Sequence, residues 1–141
     1  IALFVVFGIF AKVVESIGLA DSLFNNLQIE QLGFLLIIII PLIIMLLSLF
    51  GVNPTISVVI VGQLVAPATI FFSKTAIALT LLFGSSLSFM LSPFAGVILT
   101  LSNYIDRRPT EITLVWNRKF VLIFFLEGLL FIYLLMAAGL I

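Results

Sequence analysis

The chain has 141 residues, of which 64% are hydrophobic and only 9% charged, with a mean hydropathy of +1.46. Six basic residues balance six acidic ones, and His and Cys are both absent. A soluble domain carries roughly 25% charged residues, so this composition points to a bilayer as solvent. It excludes disulfides, thiolate chemistry, imidazole bases and the usual zinc ligands, and the basic residues form no run that would bind nucleic acid.

Residues 1–17 read as an apolar membrane helix that carries Lys12 and Glu15 near its end. Three positions apart, these two share a helix face and can neutralise each other. The chain opens inside this apolar run with no charged leader before it, as expected of a fragment of a longer membrane protein rather than of a signal peptide. Residues 18–31 are mixed. Leu19, Leu23 and Leu27 recur at helical spacing among Asp21, Asn25, Asn26, Gln28 and Glu30, which predicts a short helix lying in the membrane interface.

Residues 32–72 form an apolar pair of helices, with Pro41 as an expected kink in the first. Gly51-Val52-Asn53-Pro54-Thr55 interrupts the pair. In hydrocarbon every backbone N–H and C=O needs an internal partner, so such a tip is tolerable at membrane depth only where protein buries it or where it lines a polar cavity. Asn53 and Thr55 offer an amide and a hydroxyl. Pro54 suits the first turn of the following helix, whose N-terminus favours an anion. The carbonyls ending the preceding helix favour a cation. The alternative is an ordinary extramembrane turn between two spanning helices. A re-entrant hairpin and two full crossings both return the chain to its starting side, so charge does not separate them. Gln63, in the second helix, is a weaker candidate for substrate contact or for an interhelical bond.

Residues 75–103 are a second long apolar run. As one straight helix it would measure roughly 43 Å, against a ~30 Å hydrocarbon core. A break is therefore predicted at Ser92-Pro93, where Pro93 cannot donate to the carbonyl of Phe89. Ser85, Ser88 and Ser92 share a helix face. They serve either close packing of helices or, beside freed carbonyls, ligation of a hard cation such as sodium.

Residues 104–119 are polar and hold four of the six basic residues, Arg107, Arg108, Arg118 and Lys119. The positive-inside rule puts this loop in the cytoplasm, with Tyr104 and Trp116 as interfacial anchors. The C-terminus is then outside. Residues 120–141 are a further membrane helix containing Glu127. A carboxylate at helix centre costs roughly 2.5–3.5 kcal/mol on insertion scales, which makes Glu127 a candidate proton or cation site. Snorkelling, or an ion pair with Arg118 or Lys119, is the structural alternative.

Phe7 to Leu27, with Gly8, Lys12, Glu15 and Gly18-Leu19-Ala20-Asp21, resembles a pattern of the ion transporter superfamily, which includes divalent-anion/sodium symporters, arsenite permeases and some sodium/proton antiporters. In that family a re-entrant hairpin tipped by Ser-Asn-Thr follows, and then a helix unwound at a Ser-Pro or Thr-Pro pair. The order here is similar, with Asn53 and Thr55 standing for the tip Asn and Thr. Pro54 is inserted between them and Val52 stands where the family has Ser.

The resemblance implies an all-α polytopic membrane protein, one inverted-repeat half with a re-entrant hairpin and a discontinuous transmembrane helix. It further implies a secondary transporter that moves a small, anionic solute by symport or antiport with sodium or protons, at a site drawn from Asn53, Pro54, Thr55, Ser88, Ser92 and Pro93. No cofactor is expected beyond sodium as coupling ion. The expected partners are the bilayer of a bacterial-type plasma membrane, an N-terminal half, the solute and a second copy in a homodimer. The rival reading is a non-transporting assembly subunit. Intramembrane catalysis is not expected, because no nucleophile–base pair sits at membrane depth.

Overall fold

The computed structural model describes residues 29–70 and 72–141, together with Ile9 and Ser16. Apart from those two positions, the expected helix 1–17, with the Lys12–Glu15 pair, and the Gly18-Leu19-Ala20-Asp21 motif fall outside the described residues. Among the described residues all regular structure is helical. Helix α1 spans Ile29–Leu49 and α2 spans Pro54–Leu64, followed by a 3₁₀ turn over Ala66–Ile70. Helix α3 spans Lys74–Leu91 and α4 spans Gly96–Ile105. A short helix, Pro109–Glu111, runs into a π-helical turn, Ile112–Trp116, and α5 spans Arg118–Ala137.

The helix expected from residue 32 is already formed at Ile29, so Glu30 and Gln31 belong to it rather than to a separate segment. It passes through Pro41 without interruption. The second helix of the pair stops at Leu64, well short of residue 72. Pro67 lacks the N–H that would reach the carbonyl of Gln63, and the chain tightens into the 3₁₀ turn instead. Residues 104–119 are likewise not a plain loop. Asp106, in the left-handed region at φ 51, ends α4. Pro109 then starts the short helix at its first position, where a missing N–H costs nothing.

Leu36, Ile40 and Ile44 recur every four residues on one face of α1 and pack with Val61 of α2, Val65 just past its end, Ala68, and Ile77 of α3. Helix α3 presses its small-residue face, including Gly84, onto Pro41 and Ile44 of α1. Helix α5 lies along the outer side of α3, where Leu129 and Ile132 meet Ile37 and the rings of Phe83 and Phe125. Phe34 and Tyr133 complete that seam edge-to-face at 5.3 Å. Helix α4 has only Ile98 and Ser102 buried, and Ile98 packs with Ala95 and Ile112.

Two helical stretches, Lys74–Ile105 across the α3–α4 break and Arg118–Ala137, are long and apolar enough to cross a membrane. The outer face of α5 supports a bilayer or protein partner there, because Leu122, Leu126, Leu130 and Leu134 are each more than half exposed.

Candidate functional site

Each interruption follows from local cap chemistry. At the end of α1, Val52 N–H donates to the Leu47 carbonyl at 3.0 Å and Gly51 N–H to the Ser48 carbonyl at 3.2 Å. With Gly51 at φ 90, this is a Schellman stop, and glycine takes the left-handed position without a Cβ penalty. Asn53 then caps α2, its Oδ1 accepting from Thr55 N–H at 2.9 Å. Pro54 follows at the first helical position, buried.

The second interruption falls where Ser92-Pro93 predicts it. Ser92 is extended (φ −72, ψ 119), the conformation a following proline imposes. Phe94 N–H, which in a continuous helix would donate to Met90, turns to Ser92 Oγ at 3.3 Å. Ala95 N–H goes to the Ser92 carbonyl at 3.2 Å. Helix α4 then begins with no side-chain cap at Ala95, leaving its first N–H groups without intrahelical partners.

The two interruptions meet. Ser92 Oγ donates to the Ser48 carbonyl at 3.0 Å, 44 positions away in the chain. The Phe94 ring covers the turn, 3.6 Å from where a Cβ on Gly51 would sit. Four helix ends therefore converge: the C-termini of α1 and α3, whose carbonyls carry partial negative charge, and the N-termini of α2 and α4, whose amides carry partial positive charge.

Of the residues expected here, Ser88, Ser92 and Pro93 are buried, Asn53 and Thr55 are exposed, and Ser85 is half-buried. Buried hydroxyls aim their protons at backbone carbonyls: Thr80 at Ala76 (2.7 Å), Ser88 at Gly84 (2.8 Å) and Ser92 at Ser48. Their lone pairs are what remains. Asn53 is the reverse case, because its oxygen is engaged by the cap and its amide N–H₂ is left over.

Gln63 does not join this group. It lies roughly 15 Å along α2 from Asn53, with a buried Oε1 that has no hydrogen-bond partner among the described residues. Glu127 is also elsewhere. It is exposed and lines a groove of about 360 Å³ between α3 and α5, with Leu79, Phe83, Ser86 and Phe124. The alternative pairing of Glu127 with Arg118 or Lys119 is not formed among the described residues. The ion pair among the described residues is Arg107–Glu111, at 3.5 Å.

Two residues at the junction escaped sequence reasoning. Ser48 is fully buried and its Oγ has no hydrogen-bond partner among the described residues. As the lone hydroxyl between residues 32 and 50, one turn before Gly51, it carried a usable signal. Asn117 donates from Nδ2 to the Met90 carbonyl at 2.8 Å, and nothing in its local sequence marks it. No group of three or more Asp or Glu able to hold a metal ion occurs among the described residues. A cation would be held here by hydroxyl and carbonyl oxygens. Comparison with protein-family models, curated proteins and solved structures finds no match to this chain.

Proposed function

We propose that this chain is one half of a secondary transporter that moves a small anionic solute coupled to sodium or protons, and that the junction of the two interruptions is its binding site. The observation that carries this reading is the hydrogen bond from Ser92 to the Ser48 carbonyl, which joins the two polar breaks in an otherwise apolar bundle. Discontinuous helices of this kind present N-termini to anions and unwound carbonyls to cations. The short second arm favours a re-entrant hairpin over two crossings, because α2 has 11 residues, roughly 16 Å, about half the hydrocarbon thickness, whereas α1 with 21 residues is itself long enough to cross.

In this mechanism Asn53, Thr55 and the α2 N-terminus contact the anion, while Ser88, Ser92 and the carbonyls freed by Pro93 hold the coupling cation. Pro54 and Pro93 shape the two turns. Rocking of the unit against a scaffold supplied by the other half exposes the site to each side in turn. Glu127 lies away from this junction, so its part is a proton relay or a polar contact to the other half, on a bundle whose 104–119 segment faces the cytoplasm.

The test is uptake by the full-length protein in proteoliposomes, with phosphate, sulfate, a dicarboxylate and arsenite each offered under a sodium or a proton gradient. Gradient-dependent uptake of one of them, lost in Ser92→Ala, is expected. Cysteine at Val52 or Thr55 should react with small polar thiol reagents and resist bulky impermeant ones. No uptake under either gradient, with fast labelling of the tip by bulky reagents, would instead favour an assembly subunit with an ordinary turn.

A further inference from the structure

Asn117 occupies the N-cap position of α5, yet its side chain does not cap that helix. It reaches 27 positions back to the Met90 carbonyl. That carbonyl is one that the Ser92-Pro93 break strips of its helical donor, because Phe94 N–H has turned to Ser92 Oγ. A carbonyl only accepts, so the Asn117 amide must present its N–H₂ side. The surrounding segment leans on the same place: Ile112, on the π-helical turn, packs against Ala95 and Ile98 just after the break.

We infer that Asn117 is a positioning residue that latches the open end of α3 to the start of α5. The latch holds Ser92 in register with Ser48 and couples the basic 104–119 segment to the binding junction. This rests on the transporter reading for its functional consequence, though the latch itself does not. Without it, Met90 carries an unpaired carbonyl in a half-buried position, and the last turn of α3 is free to fray. The Ser92 hydroxyl would then no longer be fixed against α1.

The test separates latching from ordinary helix capping. Asn117→Ser is a good N-cap but is too short to reach Met90, and Asn117→Gln keeps an amide donor. In the full-length protein reconstituted in nanodiscs, amide exchange at Phe94 and Ala95 should rise by roughly tenfold in Asn117→Ser. Exchange in the first turns of α5, at Leu122 and Ile123, should stay at the parent level. Asn117→Gln should restore part of the protection.

Unchanged exchange at Phe94 and Ala95 overturns the latch. Equal loss of protection at both places reduces Asn117 to a cap of α5 and also overturns it. The same variants in proteoliposomes should raise the apparent KM for the anion the parent carries while leaving the maximal rate near parent. If exchange responds as expected while Asn117→Ser and Ser92→Ala both transport like the parent, the latch stands and the binding-site reading fails.

Discussion

Gly84 of α3 faces Pro41 of α1 so closely that a Cβ at position 84 would lie 2.9 Å from the Pro41 Cα and 2.8 Å from Ile44 Cδ1. The first of those neighbours is backbone, in the middle of a helix, and cannot rotate away. This crossing fixes how α3 lies on α1, and it therefore fixes where Ser92 meets Ser48 two turns further on.

Gly84→Ala should accordingly destabilise the bundle by about 1–3 kcal/mol, the usual cost of overpacking, read as an earlier midpoint in thermal or denaturant unfolding. Gly128→Ala provides the contrast. Its neighbour is the Phe83 ring, the movable end of a side chain bordering an open groove, so the loss there should be smaller. Equal losses would mean the α1–α3 crossing is looser than the geometry indicates.

Removing the Ser92 hydroxyl withdraws a donor from the Ser48 carbonyl and an acceptor from Phe94 N–H. Ser92→Ala should cost about 1–2 kcal/mol and lower uptake. Ser48→Ala should behave differently. It deletes a buried hydroxyl that has no partner among the described residues, so stability should hold or improve slightly while uptake falls. A Ser48→Ala protein that gains stability and transports normally would remove Ser48 from the site.

Asn53 can be dissected by two substitutions. Aspartate caps a helix as well as asparagine does, whereas alanine costs roughly 0.5–2 kcal/mol. Asn53→Asp keeps the acceptor that Thr55 N–H uses but replaces the free amide donors with negative charge. Parent-like unfolding together with at least tenfold weaker anion uptake is the expected result, measured by concentration dependence in proteoliposomes. Normal uptake in Asn53→Asp would mean that the anion binds elsewhere.

Glu127 sits on an exposed face beside Ser86 and the rings of Phe83 and Phe124. Glu127→Gln should leave folding intact and flatten the pH dependence of uptake, if this acid relays the proton. An unaltered pH profile would exclude Glu127 as the proton relay.

Much of the helical layout is readable from apolar run lengths, and the Ser92-Pro93 interruption from run length together with the missing N–H of Pro93, since Pro41 lacks the same N–H and leaves α1 unbroken. The tip at residues 51–55 is legible for the same reason: glycine, asparagine and proline each have one backbone task there, and each performs it. The short α2 was not legible, because Pro67 leaves the apolar run through residue 72 unbroken in composition while in the fold the helix ends at Leu64. The long-range partners were also hidden. Ser92 to Ser48 and Asn117 to Met90 depend on how α3 crosses α1 and α5, and crossing geometry is written in small residues such as Gly84 rather than in the polar residues it brings together.

The direction of the buried hydroxyl protons has a consequence for ion selectivity. Thr80, Ser88 and Ser92 all turn their protons toward the backbone, and one lone pair of Ser92 is already taken by Phe94 N–H, so these three hydroxyls offer a cation their remaining lone pairs. Free hydroxyl lone pairs would favour a cation over an anion, and they can accept from hydronium as well as ligate sodium. Hydroxyl chemistry alone therefore does not choose between these two cations. If the junction does couple transport to a cation, the choice between the two falls to the carbonyls around Pro93, and exchanging one for the other would need backbone adjustment at the break rather than a new side chain.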